Sequence, residues 1–72
     1  MSRNIQLGRY RHYKGKEYQV LGVARHSETG EDFVVYKKLY DDFSMWIRPY
    51  DMFIEEVEVN GNKIKRFEFL GE

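Results

Sequence analysis

The sequence predicts an all-β fold made of short antiparallel strands. Short runs rich in Val, Ile, Tyr and Phe alternate with Gly, Asn and Asp, which is the pattern of strands joined by tight turns. Helix signals are weak, because no apolar stripe repeats with the helical period. The 72 residues are enough for a single small domain, 1–72, in which residues 1–7 are expected to be a flexible N-terminal arm.

The first half of the chain predicts three strands. Residues 9–13 form the first strand, and Gly15 supplies the positive φ of the turn that follows. Residues 17–26 form a long second strand, in which Gly22 marks a bulge that changes the buried face. After a polar loop, residues 33–40 form the third strand. A bulge in the second strand is what a strand needs when it bends around a small barrel.

A fourth strand and a single helical turn follow. Residues 45–48 form a short strand that Pro49 ends, because proline has no N–H to give to a ladder. Residues 50–53 are expected to form a 3₁₀ turn. Met52 and Phe53 are expected to anchor that turn on the core.

The C-terminal part predicts a β-hairpin with a defined register. Asn60-Gly61 is the strongest short hairpin signal, since both residues tolerate the positive φ values of a type I′ turn. A two-residue turn fixes five cross-strand pairs, which are Val59 with Asn62, Glu58 with Lys63, Val57 with Ile64, Glu56 with Lys65 and Glu55 with Arg66. Beyond Ile64 the apolar phase changes at Phe67 and Phe69, which indicates a bulge or a strand that passes between sheets.

Five or six short antiparallel strands in so short a chain favour a small SH3-like barrel over a sandwich, which usually needs about 100 residues.

Composition also indicates the cellular location. The chain has no cysteine and no apolar run long enough to cross a membrane, so a cytoplasmic location is expected. Residues 1–40 carry eight basic and four acidic side chains, and residues 41–72 carry four and eight, so the zero net charge is unevenly spread.

A motif string along most of the chain is similar to that of a known family. It comprises GRYRHYKG from Gly8, YQVLGVARHSET from Tyr18, VVY from Val34, LY from Leu39, WIRP from Trp46 and MF from Met52. The chain resembles a bacterial family of short stand-alone domains of unknown function. The resemblance implies a small, SH3-like β domain and implies no activity, cofactor or site residue.

No catalytic or metal-binding set is predicted. Two histidines without cysteine are too few for a metal site, which needs three or four ligands. His26, Ser27 and Glu28 are neighbours in the sequence, whereas the members of a catalytic triad converge from separate elements. We therefore expect no catalytic residue, no metal and no cofactor, and enzymatic activity is the least favoured function.

The favoured candidate is a recognition surface around Trp46 and Arg48. If Met45 and Ile47 face the core, Trp46 and Arg48 point outward together, offering a ring to stack on and a guanidinium for a phosphate or carboxylate. The alternative is that Trp46 is a core ring beside which Arg48 lies. The candidate ligand-binding residues are Trp46, Arg48, Tyr36, Tyr10, His12 and His26, and the candidate basic rim is Arg9, Arg11 and Lys14.

Two kinds of partner stay open at this point. An aromatic and basic face suits nucleic acid or a nucleotide-like ligand. The same aromatics, together with an edge strand carrying Arg9 and Arg11, suit a protein partner or a homo-oligomer. No membrane partner is expected.

Overall fold

Seven strands and one short helix make up the fold in the computed structural model, which describes residues 4–72. In chain order they are β1 (Gly8–His12), β2 (Glu17–Arg25), β3 (Asp32–Lys38), β4 (Met45–Pro49), α1 (Tyr50–Ile54), β5 (Glu56–Val59), β6 (Asn62–Lys65) and β7 (Phe67–Gly71). The predicted all-β class is confirmed, and the predicted first four strands match β1 to β4 within one or two residues. Residues 4–72 hold seven strands, not the five or six predicted, because the chain after α1 divides into a hairpin and a further strand that pairs with β1.

The strands form one five-stranded antiparallel sheet and a separate two-stranded hairpin. The order in the large sheet is β4-β3-β2-β1-β7, and β5 pairs with β6. Within residues 4–72, β4 and β7 are the two edges of the large sheet, so its strands do not close into a barrel. β1 lies between β2 and β7, so the prediction that Arg9 and Arg11 sit on an edge strand is wrong.

Gly22 marks a bulge, as predicted. The register between β2 and β3 shifts between Val20 and Gly22, which leaves Leu21 as an extra residue. The shift places Val20 and Val23 toward the core on either side of the bulge, where they face Tyr36 and Val34. β2 can therefore bend while both of its halves keep an apolar side chain inward.

Aromatic rings fill most of the core. The buried residues are Tyr10, Val20, Val34, Tyr36, Phe53 and Phe67. Phe53 and Phe67 are stacked with ring centroids 4.0 Å apart, and Tyr10 and Tyr36 meet Phe53 at 5.5 and 5.4 Å. Each buried aromatic removes about 150–250 Å² from water, so a few rings can hold a small domain together.

The turn after β4 differs from the prediction in two respects. It is an α-helical turn over Tyr50–Ile54 rather than a 3₁₀ turn, because five residues are enough to close an i to i+4 hydrogen bond. Phe53 is 1% exposed and anchors the turn on the core as predicted. Met52 is 45% exposed and does not, because α1 turns only one side toward the core.

The C-terminal hairpin has the predicted register. Its four ladder pairs run from Glu56 with Lys65 to Val59 with Asn62. Asn60 and Gly61 have φ values of 53° and 80°, as a type I′ turn requires. The fifth predicted pair is also present, because the Arg66 N–H donates to the Glu55 carbonyl at 3.1 Å. After Arg66 the chain leaves the hairpin and pairs with β1 as β7, which explains the change of phase at Phe67.

Residues 4–7 contact the domain without joining a strand. The Tyr50 hydroxyl donates to the carbonyl of Asn4 at 2.9 Å, and the Tyr10 hydroxyl donates to that of Gln6 at 2.7 Å. Flexibility of the arm at 1–7 stays a prediction, and residues 1–3 lie outside the described residues. Across 4–72, no helix is long and apolar enough to cross a membrane.

Candidate functional site

A groove of about 280 Å³ lies on the core side of the sheet, where β2, β3 and β4 run next to one another. We call it the aromatic groove, and it is lined by Tyr18, Tyr36, Lys38, Tyr40, Trp46 and Arg48. The sheet register brings these side chains together. Tyr36 lies opposite Trp46 and Lys38 lies opposite Tyr18, and directly opposed residues share one face of a sheet.

The condition behind the outward-facing pair, that Met45 and Ile47 face the core, is not met, and the alternative orientation of β4 is the one observed. Arg48 and Trp46 lie opposite Val34 and Tyr36, which are buried, so β4 turns this pair toward the core side. Met45 and Ile47 point to the other face of the sheet and are 62% and 59% exposed. β4 is one of the two edge strands, so its core-side residues extend past the end of the core into the groove.

Trp46 is held in place although half of its surface is open. It is 52% exposed, and its indole N–H donates to Ser44 Oγ at 2.7 Å. The Ser44 hydroxyl and backbone N–H in turn hydrogen-bond Asp42, which holds the pKa of that carboxyl below its usual value. The hydrogen bonds thus fix the orientation of an exposed ring, as a stacking platform requires.

Lys38 places a compensated charge between two rings of the groove. Its Nζ lies 4.9 Å from the Tyr40 ring centroid and 5.8 Å from that of Trp46. It also pairs with Asp41 at 3.4 Å and Asp42 at 3.5 Å. Desolvation works against its charge, but the two carboxylates outweigh it and raise the pKa of Lys38. Lys38 therefore stays protonated, with its charge offset by its neighbours.

Arg48 brings an uncompensated charge. Its Nε–H donates to the Tyr36 hydroxyl at 3.4 Å, and its guanidinium carbon lies 5.6 Å from the Phe67 ring centroid. Within residues 4–72, no carboxylate forms an ion pair with Arg48. Its field also reaches His12, whose pKa is lowered first by burial and then by Arg48. This end of the groove therefore carries a positive charge that no carboxylate of the described residues offsets.

Two tyrosines and a second lysine complete the groove. The hydroxyls of Tyr18 and Tyr40 lie 2.7 Å apart in a hydrogen bond. Burial is the main cause that raises the pKa of Tyr18, and this hydrogen bond raises it further, so the phenol stays neutral. Lys16 Nζ lies 4.8 Å from the Tyr40 ring centroid and adds a cation beside the groove.

The other predicted aromatic residues do not offer a stacking face. Tyr36 is 5% exposed and contributes only its hydroxyl, through Arg48. Tyr10 is 7% exposed and packs edge-on against Phe53 and Phe69, away from the groove. Small cores use their rings as filling, so the two most buried tyrosines serve mainly as core residues.

The two histidines lie apart, at opposite ends of β2. His12 packs edge-on against Phe67 at 4.9 Å and accepts the backbone N–H of Lys14 on Nδ1. His26 follows the last residue of β2 and accepts the N–H groups of Glu28 and Thr29 on Nδ1. Each ring has a local structural partner, and no group of three or more potential metal ligands occurs in the described part of the chain.

The candidate basic rim lies elsewhere on the molecule. Arg9 and Arg11 alternate with the buried Gly8 and Tyr10, so they occupy the face of β1 that points away from the groove. Arg9 pairs with Glu17 at 3.3 Å and Arg11 pairs with Glu68 at 3.0 Å. Lys14 follows in the next turn, 5.8 Å from the centroid of the Tyr13 ring. The cations on the groove side are Arg48 and Lys38, which line the groove with Trp46, and Lys16, which lies beside Tyr40.

Three groove residues were missed at the level of sequence, namely Tyr18, Lys38 and Tyr40. Tyr36 and Lys38 are two residues apart on β3, so their shared face is readable from the sequence. The position of Tyr18 depends on the bulge at Leu21, which sets the pairing between β2 and β3. A register through a bulge cannot be derived from alternation alone.

Comparison with known proteins identifies the family. The model of a protein family of unknown function, DUF1653, matches residues 8–69. A crystal structure of a DUF1653 protein from Bordetella bronchiseptica is similar, with a TM-score of 0.85 and 39% sequence identity over 93% of this chain and 88% of that one. A search of curated proteins finds no match. The resemblance to a bacterial family of unknown function is confirmed, and the chain belongs to the DUF1653 family.

Proposed function

We propose that this domain binds single-stranded nucleic acid, or a nucleotide-like fragment of it, in the aromatic groove. One observation carries the proposal: a half-exposed, hydrogen-bonded Trp46 stands on the same strand face as Arg48, which has no carboxylate partner within residues 4–72. A base has a π-face that stacks on an indole, and its phosphate is an anion for a guanidinium.

Four groove residues and two of their neighbours have distinct roles under this proposal. Trp46 stacks on a base, and Arg48 contacts the neighbouring phosphate. Lys38 and Lys16 add positive potential, with Lys38 reduced in effect by Asp41 and Asp42. Tyr36 positions Arg48 through its hydroxyl, and Ser44 positions Trp46. Stacking is tolerant of sequence, so we expect weak base preference.

The experiment is a titration of labelled single-stranded RNA and DNA at about 50 and 200 mM salt, the range over which phosphate contacts become visible. Stacking contributes about 1–3 kcal/mol per base, so Trp46→Ala should weaken binding roughly 5- to 150-fold. Arg48→Ala should weaken it and lower the salt slope by about 0.7, the value for one phosphate contact on a single strand.

Arg9→Ala is the matched control, because Arg9 is a comparable cation on the opposite face and is paired with Glu17. It should leave the affinity almost unchanged. A loss of binding with Arg9→Ala but not with Arg48→Ala would place the ligand on the predicted basic rim. An affinity that survives high salt would contradict the phosphate contacts altogether.

The alternative function, a protein-interaction or homo-oligomer domain, is favoured by a different observation. Met45 and Ile47 are exposed side by side on the edge strand, on the face away from the groove. A dilution series that follows the particle mass tests the oligomer, whereas the titration with nucleic acid tests binding in the groove. Binding in the groove and pairing at the edge are compatible.

The fold class, the domain organisation and the cellular location are part of the same proposal. We place the domain in the SH3-like class as a single folded unit in the cytosol. The strand order supports the first part: β1 to β4 form a meander, a short helix follows, and the last strand returns to β1. The lack of cysteine suits a reducing compartment.

A further inference from the structure

The free edge of β4 presents unpaired backbone groups beside exposed apolar side chains. The Lys38 N–H donates to the Ser44 carbonyl at 3.0 Å, in register with the ladder between β3 and β4. Bonded pairs alternate along an antiparallel ladder, so Tyr36 with Trp46 is the next bonded pair and Val34 with Arg48 follows. The N–H and C=O groups of Met45 and Ile47 therefore point away from β3.

Pro49 is compatible with this alternation. Because Pro49 follows Arg48, its nitrogen points away from β3, where an edge strand has no partner for an N–H. Among residues 4–72, no strand pairs with this side of β4. The edge thus offers two donors and two acceptors, from Met45 and Ile47, whereas the Pro49 carbonyl is the N-cap acceptor of α1. Three neighbouring residues on it, Met45, Trp46 and Ile47, are 52–62% exposed.

We propose that β4 pairs antiparallel with β4 of a second copy of this chain, about a two-fold axis at Ile47. A centre at Ile47 is the one that overlaps all five residues of the strand. Ile47 then exchanges two hydrogen bonds with Ile47 of the second copy. At each end Met45 faces Pro49 of the second copy, which has no N–H to donate, so the backbone hydrogen bonds come from Ile47 and the flanking pairs meet through their side chains.

The side chains are complementary in this register. Trp46 falls opposite Arg48 of the second copy, so a guanidinium comes beside the exposed indole, an arrangement that contributes about 0.5–1 kcal/mol at exposed sites. On the other face, Ile47 meets Ile47 and Met45 meets Pro49, so apolar surface meets apolar surface. No like charges are opposed within the five residues. The second copy would also add its Arg48 to the rim of the aromatic groove.

Cysteine trapping tests the register, because the natural chain has no cysteine to interfere. A hydrogen-bonded antiparallel pair has Cα atoms about 5.5 Å apart, within the range that a disulfide spans. Ile47→Cys should therefore form a disulfide-linked dimer under mild oxidation. Met45→Cys is the matched control on the same face and equally exposed. Its two copies would be offset by about 13 Å along the strands, which is four residue steps, so their Cα atoms would lie too far apart for a disulfide.

The mass of the unmodified chain completes the test. Sedimentation from about 1 μM to 1 mM, a span that covers weak and moderate association, should show the 8.8 kDa monomer converting to a dimer. Ile47→Lys should move that conversion to higher concentration, since like charges then face each other, and Ile54→Lys on α1 should not. A monomer at every concentration would overturn the proposal, as would equal cross-linking of the two cysteine variants.

The proposal of groove binding and the proposal of edge pairing can be refuted independently of each other. Ile47 points away from the groove, so Ile47→Lys should leave the contacts of Trp46 and Arg48 within one subunit intact. If nucleic acid does not bind while the dimer forms with the stated register, the edge proposal stands and the groove proposal is lost. The reverse result would leave binding in place and remove the dimer.

Discussion

Phe53→Ala is the substitution expected to damage the core most. Phe53 is 1% exposed, stacks on Phe67 at 4.0 Å, and touches both Tyr10 and Tyr36. Truncating a buried Phe to Ala costs about 3–5 kcal/mol, and the lost stack and edge contacts place this site at the upper end. A chain of this size is typically stable by about 4–11 kcal/mol, so the variant should lose half of its stability or more.

Urea unfolding followed by far-UV circular dichroism measures this cost. With a slope of about 1–1.5 kcal/mol per molar urea, the midpoint should fall by about 2 M or more, and the protein could be partly unfolded in buffer. Met52→Ala is the control, one residue away on α1 and 45% exposed, and it should change stability by less than about 0.5 kcal/mol. Similar effects from the two variants, or a small shift for Phe53→Ala, would refute the view that α1 is anchored by one ring.

Two further substitutions test the backbone and the pH response. Gly8→Ala should destabilise the fold by about 1–3 kcal/mol in thermal unfolding, because Gly8 has a φ of 141° and an added Cβ would lie 2.5 Å from the Gly71 carbonyl oxygen. Gly22→Ala, with open space around the new carbon, should be close to neutral, and equal costs would show that the approach to Gly71 does not matter. Burial and nearby cations lower the pKa of His12, so the unfolded chain takes up this proton more readily than the folded one. His12 should therefore contribute stability above pH 6.5 that is lost as the pH falls toward its lowered pKa, and His12→Gln should flatten this part of the stability profile. An unchanged profile would count against the field of Arg48 and its neighbours.

The sequence was sufficient for features set by local chemistry. Asn60-Gly61 indicated the hairpin register, because both residues tolerate the positive φ values of a type I′ turn, which joins two strands by two residues with the right twist. Gly22 marked the bulge, and Pro49 marked the end of β4. Each of these depends on one or two residues whose backbone preferences are strong.

Features that depend on pairing between distant strands could not be predicted from local sequence patterns. Alternation alone left open which face of β4 turns inward, and the pairing with β3 decides it: Trp46 lies opposite the buried Tyr36, so Met45 and Ile47 lie on the exposed face of the sheet. The position of β1 between β2 and β7 depends on the last strand of the chain, 57 residues from Arg11 in the case of Glu68. Pairing of that kind leaves no signal in the spacing of neighbouring residues.

Only part of the candidate site could be predicted from the sequence, because the rest depends on the same long-range pairing. Trp46 and Arg48 share a face by simple alternation, so their pairing was predicted before the fold was known. Whether Tyr36 and Tyr10 were exposed depended on the core, which buries both. Tyr18, Lys38 and Tyr40 entered the site through the ladder between β2 and β3.

The most direct test of the central claim is a heteronuclear NMR titration of the domain with a single-stranded DNA of about ten nucleotides, longer than the smallest site of a strand-binding fold. The account predicts that the indole N–H of Trp46, the Nε–H of Arg48 and the backbone of β3 and β4 shift together, while the hairpin tip at Asn60 and Gly61 stays unchanged. Shifts confined to β1 and its Arg9 and Arg11 side chains, or no shifts at any DNA concentration, would contradict the claim that the aromatic groove is the binding site.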